Sequence, residues 1–126
     1  MLLYADESYK IMGACFKVYT EMGNGFLESV YQECLELELS KRKIPFVSQQ
    51  CLPVTYCGTQ LKQHFVADYV CYEKIILEIK AVDCLQDGHT AQVLNYLNAT
   101  GIKLGLLVNF GHYPKVESER IALSYK

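Results

Sequence analysis

A single α/β domain with the element order α-α-β-β-β-α-β-β is predicted by three observations. The first third of the chain repeats apolar side chains at three- and four-residue spacing. The middle is rich in strand formers punctuated by turn signals, and a short, nearly unbroken apolar run, Leu104–Phe110, follows one more helical segment. The 126 residues suit one domain spanning 1–126, and 51% apolar residues suffice for a packed core rather than disorder.

The first helix is expected from Asp6 to Met22, because Ile11, Ala14, Cys15, Val18, Tyr19 and Met22 form one stripe. Gly23-Asn24-Gly25 interrupts it and suits a sharp redirection. A second helix is expected from Phe26 to Arg42, with Leu27, Val30, Tyr31, Cys34 and Leu35 facing inward. Its acids, Glu28 and Glu33, lie towards the N-terminal half and Lys41, Arg42 and Lys43 at the end, as the helix dipole favours; Pro45 closes it.

Phe46–Tyr56 reads as a strand, with Pro53 requiring an edge or a bulge. Cys57-Gly58-Thr59-Gln60 is a turn leading into a second strand, Leu61–Tyr72. After a turn near Glu73-Lys74 comes a third strand, Ile75–Ala81. Asp87 is expected to cap a helix running from His89 to Ala99, which Gly101 terminates. Leu104–Phe110 reads as a central strand covered on both faces, and Lys115–Leu123 as the last strand.

A net charge of −2 argues against nucleic-acid binding through bulk positive charge, so any such contact needs a local patch. The only dense cationic cluster, Lys41-Arg42-Lys43, is the kind of helix-end run that is ordinarily solvated. No apolar run approaches a membrane span and the N-terminus carries no signal-peptide pattern, so a soluble, cytoplasmic protein with no membrane partner is expected. The six cysteines, at 15, 34, 51, 57, 71 and 84, include no C-x-x-C pair; zinc is not expected, and they read as small buried hydrophobes.

Charge placed inside apolar strands is the informative feature. Asp68 interrupts Phe65–Val70, while Glu78 and Lys80 interrupt Ile75–Val82 and point to one face with Ile76. A two-residue turn at Glu73-Lys74 would pair Tyr69 with Glu78 and put Asp68 on the opposite face. A three-residue loop, Tyr72-Glu73-Lys74, would set Asp68 across from Glu78. The odd-length loop, or an equivalent bulge, is expected, because only that register brings the carboxylates together. Two carboxylates beside a lysine suit a hard divalent cation, Mg²⁺ or Mn²⁺, and phosphodiester chemistry. The same D…E-x-K letters also describe an ordinary surface strand with a cross-strand ion pair.

Gln92 and Tyr96, at i and i+4, share a helix face, with His89 one turn earlier. Read alone, such a polar edge is more often a solvated flank. In Gly25-x-x-Glu28-x-x-Tyr31, Glu28 and Tyr31 are neighbours on the second helix, which also fits a dipole-complementing glutamate beside a core tyrosine.

Taken in order, Glu28, Asp68, Glu78-x-Lys80 and Gln92-x-x-x-Tyr96 resemble the PD-(D/E)xK nuclease superfamily, and its branch with a helical Glu and a Q-x-x-x-Y motif in particular. Within it, Gly23–Tyr31, Leu77–Ala81, His89–Leu97, Ala99–Gly101 and Gly105–Gly111 are similar to the small bacterial GxxExxY proteins. The resemblance covers roughly residues 8–123. It implies a restriction-endonuclease-like core, a mixed central sheet flanked by helices. It implies a Mg²⁺- or Mn²⁺-dependent nuclease acting on nucleic acid, DNA first, with Asp68 and Glu78 as metal ligands together with the Ile79 carbonyl. Lys80 would act on the attacking water or the scissile phosphate. Glu28 would complete the acidic, metal-holding site directly or through water. Gln92 and Tyr96, with Tyr31 and His89 around them, would orient substrate or brace the site. Ala67 stands where the superfamily's name has proline. No iron–sulfur cluster is expected from the cysteine spacing. The alternative is a non-catalytic nucleic-acid- or protein-binding module that keeps the fold, and a homodimer or partner protein is a further expectation, since so small a domain offers little surface for gripping a duplex.

Overall fold

The computed structural model describes residues 2–123; Met1 and residues 124–126 of the single-domain reading lie outside it. Helices α1 (Ala5–Met22) and α2 (Glu28–Lys41) precede strands β1 (Phe46–Tyr56), β2 (Thr59–Cys71) and β3 (Ile75–Lys80). Helix α3 (Asp87–Thr100) leads to β4 (Leu104–Asn109) and β5 (Glu117–Ala122). The strands lie in sequential order, β1-β2-β3-β4-β5. Every neighbouring pair is antiparallel except β3 and β4, which are parallel and joined through α3. This is the mixed sheet flanked by helices expected of a restriction-endonuclease-like α/β core.

Two apolar cores sandwich the sheet. Ile11, Ala14, Cys15 and Val18 of α1 and Tyr31, Leu35 and Leu39 of α2 pack on Tyr69, Ile75, Leu77, Ile79, Leu106 and Val108. On the other face, Val93 and Leu97 of α3 pack on Val70, Ile76, Leu107 and Ile121. Strand β4 is buried along its whole length, as a continuous apolar run between two helical layers must be. Gly105 is what lets α3 approach, since a Cβ there would meet Val93 Cγ1 at 2.7 Å.

Several boundaries differ from the expectation for identifiable reasons. Helix α2 starts at Glu28 rather than Phe26, and Leu27, its N-cap, is 75% exposed rather than inward-facing. The Tyr31 hydroxyl explains this: it donates to the Gly23 carbonyl at 2.5 Å and accepts the Gly25 and Phe26 N–H groups, holding that loop out of helical geometry. Helix α3 is capped by Gln86, not Asp87, with Gln86 and His89 forming a reciprocal capping box. The first hairpin turns on two residues, Cys57 and Gly58, both at positive φ (49° and 82°), so pairing resumes at Tyr56↔Thr59. Pro53 lies on an edge strand and beside a register shift. The cysteines divide: Cys15 and Cys71 are buried, Cys34 is half-buried, and Cys51, Cys57 and Cys84 are exposed. The burial expectation fails for these three because Cys51 faces outward on an edge strand, Cys57 occupies a turn and Cys84 a loop.

Candidate active site

The loop between β2 and β3 determines which side chains meet. It has three residues, Tyr72, Glu73 and Lys74, with Cys71 paired to Ile75, Val70 to Ile76 and Tyr69 to Leu77. Tyr72 and Glu73 adopt positive φ (55° and 62°). Lys74 anchors the loop to α1 through Glu7 (2.6 Å) and lies over the Tyr4 ring (4.4 Å). Continuing the register by one step sets Asp68 opposite Glu78, as the odd-length loop requires.

At that step the main-chain ladder gives way to side chains. The Ile79 N–H donates to Asp68 Oδ2 (2.9 Å) and the Asp68 N–H donates to Glu78 Oε1 (3.3 Å). The strand's alternation also breaks here. Phe65 and Ala67 share the α3-side core with Val70, whereas regular alternation would put them with Tyr69 on the other face. Gln49, across from Asp68 on β1, takes a left-handed φ of 52°. The sheet therefore turns at Asp68, and its carboxylate enters the gap between β2 and β3.

Glu78 is buried, only 8% exposed. Burial first, then the Asp68 charge and hydrogen bond, push its carboxyl up to about 9, while Lys80 pulls it back. Glu28, at the exposed start of α2, is also raised, by partial burial and by Asp68, against Lys80. Tyr96 is raised by burial and by the charges of Glu78 and Asp68. Asp68 and Lys80 thus act on both Glu28 and Glu78, and the two strand carboxylates act on Tyr96. Lys80 is half-buried at the end of β3 and, among the described residues, closes no ion pair with either glutamate.

The other expected residues are placed differently. Tyr96 stacks on Phe65, with centroids 3.4 Å apart, which joins α3 to the strand leading into Asp68. Gln92 is exposed one turn earlier on α3. His89 serves the helix cap, its Nδ1 accepting the Gln86 N–H at 3.0 Å. Tyr31 is fully buried against Phe110 (4.8 Å, 8° between planes) and reaches the site only by holding the loop that delivers Glu28. A groove of about 910 Å³ between the end of α1 and residues 112–118 shares no residue with the carboxylate pair.

Three contributors escaped the sequence reading. Asn109, fully buried at the end of β4, exchanges hydrogen bonds with the Val82 N–H (3.0 Å) and carbonyl (2.9 Å), accepts the Gly111 N–H and donates to Glu117. Glu117 in turn accepts the Leu85 N–H (2.8 Å). Together they hold the loop that leaves β3 just after Lys80. A single amide at the end of an otherwise apolar strand was the available signal. Phe65 gave none, because an aromatic in a strand is ordinary.

Among the described residues no three of His, Cys, Asp and Glu converge into a ready-made metal cage. What converges is a pair of carboxyl groups on facing strands, with Lys80 on the strand of Glu78. That donor set, hard oxygens held together in a partly buried setting, fits a divalent cation of the Mg²⁺ or Mn²⁺ kind.

The model of the PD-(D/E)XK nuclease superfamily matches residues 5–121. The chain belongs to that superfamily. Ala67, which precedes Asp68, is buried. No curated protein matches the chain. Among solved structures, the crystal structure of SSO0001 is similar, with a TM-score of 0.59 and 18% identity over 78% of this chain and 50% of that one. The chain thus spans about half the length of SSO0001, and at that identity the likeness speaks for a shared fold alone. Among the described residues, no helix is long and apolar enough to cross a membrane.

Proposed function

We propose that this PD-(D/E)XK protein is a divalent-metal-dependent nuclease that hydrolyses phosphodiester bonds in DNA, of the GxxExxY kind. The observation that carries the reading is the meeting of Asp68 and Glu78 across β2 and β3, with Lys80 on the face of Glu78 and two residues beyond it. A structural ion pair would have matched acid with base. Here two acids, one of them buried, are held together at the expense of the ionisation of Glu78.

In this reading Asp68 and Glu78, with the Ile79 carbonyl, hold a Mg²⁺ or Mn²⁺ ion. When bound, such an ion neutralises phosphate charge and makes water a stronger nucleophile at neutral pH. Lys80 holds a non-bridging phosphate oxygen or the attacking water, and its ammonium opposes the charge that develops as the bond breaks. Glu28, its carboxyl raised by partial burial and by Asp68, completes the acidic rim and offers a group able to take or return a proton. Tyr96, braced by Phe65, and Gln92 line the α3 side where substrate is oriented; Tyr31 and the His89 cap keep the flanking elements in place.

The test is cleavage of DNA with Mn²⁺ or Mg²⁺ by purified protein, with loss of cleavage in Asp68→Ala and Lys80→Ala. Cleavage surviving either change would defeat the assignment. DNA binding without metal binding or cleavage would make the chain a non-catalytic binder on a nuclease fold.

A further inference from the structure

The outer half of the β1–β2 hairpin leaves the two cores, with Val54 alone still packed against the α3-side one. From Pro53 to His64 every residue but the half-buried Val54 is exposed. Leu52 and Phe65, the last pair packed against α3, mark the root. Beyond them a two-stranded ribbon extends roughly 14 Å, at about 3.4 Å per residue, to the Cys57-Gly58 turn. Its register shifts midway: Pro53 pairs with His64 and Thr55 with Gln60, so Leu61, Lys62 and Gln63 bulge opposite Val54.

The ribbon's chemistry differs from that of the chain around it. No Asp or Glu occurs between Leu39 and Ala67, although the chain has 14 acidic residues in 126. The ribbon carries Lys62, His64, Gln60, Gln63, Thr55 and Thr59. Among the described residues Lys62 closes no ion pair. The root continues directly into Asp68, with Phe65 stacked on Tyr96, so the ribbon projects from the strand that carries Asp68, next to β3 with Glu78. Pairing with a second copy along β1 is disfavoured by the missing N–H of Pro53 and the left-handed Gln49, both of which blunt that edge.

Resting on the nuclease reading, we propose that residues 53–64 are an arm that enters the major groove of double-stranded DNA and holds the duplex against the carboxylate pair. A two-stranded ribbon fits a major groove about 12 Å wide and 8.5 Å deep, and this one is long enough to reach its floor. The amide and hydroxyl side chains meet base edges and sugar–phosphate, and Lys62 meets a phosphate. An acid-free arm supplies locally the attraction that a chain of net charge −2 lacks overall.

The experiment measures anisotropy of a labelled DNA duplex and of one of its strands across a salt series, with Ca²⁺ in place of Mg²⁺. Two variants are compared with the unaltered chain: Lys62→Ala, and a shortened hairpin in which an Asn-Gly turn joins Leu52 to Phe65. Lys62→Ala is expected to weaken duplex binding several-fold and reduce the slope of log Kd against log salt by about 1. The shortened hairpin is expected to lose the preference for duplex over single strand, with the thermal midpoint confirming that both variants fold. Duplex binding of unchanged affinity and slope in both variants overturns the arm and leaves the nuclease reading intact. An unaltered protein that neither binds nor cuts any DNA overturns that reading and the arm with it. A dimer that dissociates on shortening, with duplex binding per protomer unchanged, makes the hairpin a self-association surface and overturns the proposal.

Discussion

Glu78→Gln keeps the shape of the side chain and removes its ionisation, so it isolates what holding two carboxylates together does to the fold. The folded-state carboxyl lies near 9 against an ordinary value of 4.5. Between these values the folded chain holds a proton that the unfolded chain has released. Stability is therefore complete below the ordinary value and falls as pH rises towards 9, by about 1.4 kcal/mol per pH unit. At pH 7 the handicap is on the order of 3 kcal/mol. Glutamine removes it while still donating to Asp68, so the variant should be more stable than the parent at pH 7 by up to that amount, about 10 °C in Tm for a domain of this size. Thermal melts in EDTA from pH 5 to 8 test this. The advantage should be small at pH 5 and grow with pH. An advantage that stays constant with pH, or a variant less stable at pH 8, would refute the reasoning. The same variant should lose metal-dependent cleavage, because stability and activity draw oppositely on one carboxylate.

Tyr31→Phe removes a buried hydroxyl that bonds Gly23, Gly25 and Phe26; urea denaturation should show a loss of about 2–3 kcal/mol, and cleavage should fall because the start of α2, with Glu28, is released. Asn109→Ala leaves the Val82 and Gly111 groups unpaired, so a loss of about 3 kcal/mol is expected, with faster amide exchange confined first to residues 81–86. Mn²⁺ at about a hundred times its dissociation constant should stabilise the unaltered chain by about 2.7 kcal/mol, and calorimetry should find that gain absent in Asp68→Asn.

The fold was legible where periodicity and punctuation agree. The stripe of α1, the left-handed Gly101 after α3 and the apolar β4 each carry one local signal that tertiary packing reinforces. The three-residue loop was legible for a different reason, since only one register lets Asp68 and Glu78 meet. What escaped was set at long range. Where α2 begins depends on a hydroxyl six residues away from the glycine it holds. The α3 cap went to Gln86 because His89 reciprocates, which no ranking of cap residues foresees. Asn109 acts on a loop 27 residues earlier in the chain, and the exposed cysteines follow from edge and turn positions that composition does not reveal. Among the candidate residues, the pattern anticipated that Asp68 and Glu78 would meet, with Lys80 on the strand of Glu78. It did not distinguish Tyr31 and His89, which hold backbone, from side chains that face the carboxylates.

Crystals soaked in Mn²⁺ and measured by anomalous scattering test the central claim most directly. One strong peak within bonding distance of both Asp68 and Glu78 is the predicted result. A fully soaked crystal in which those carboxylates remain paired to each other, with no peak between them, would contradict it.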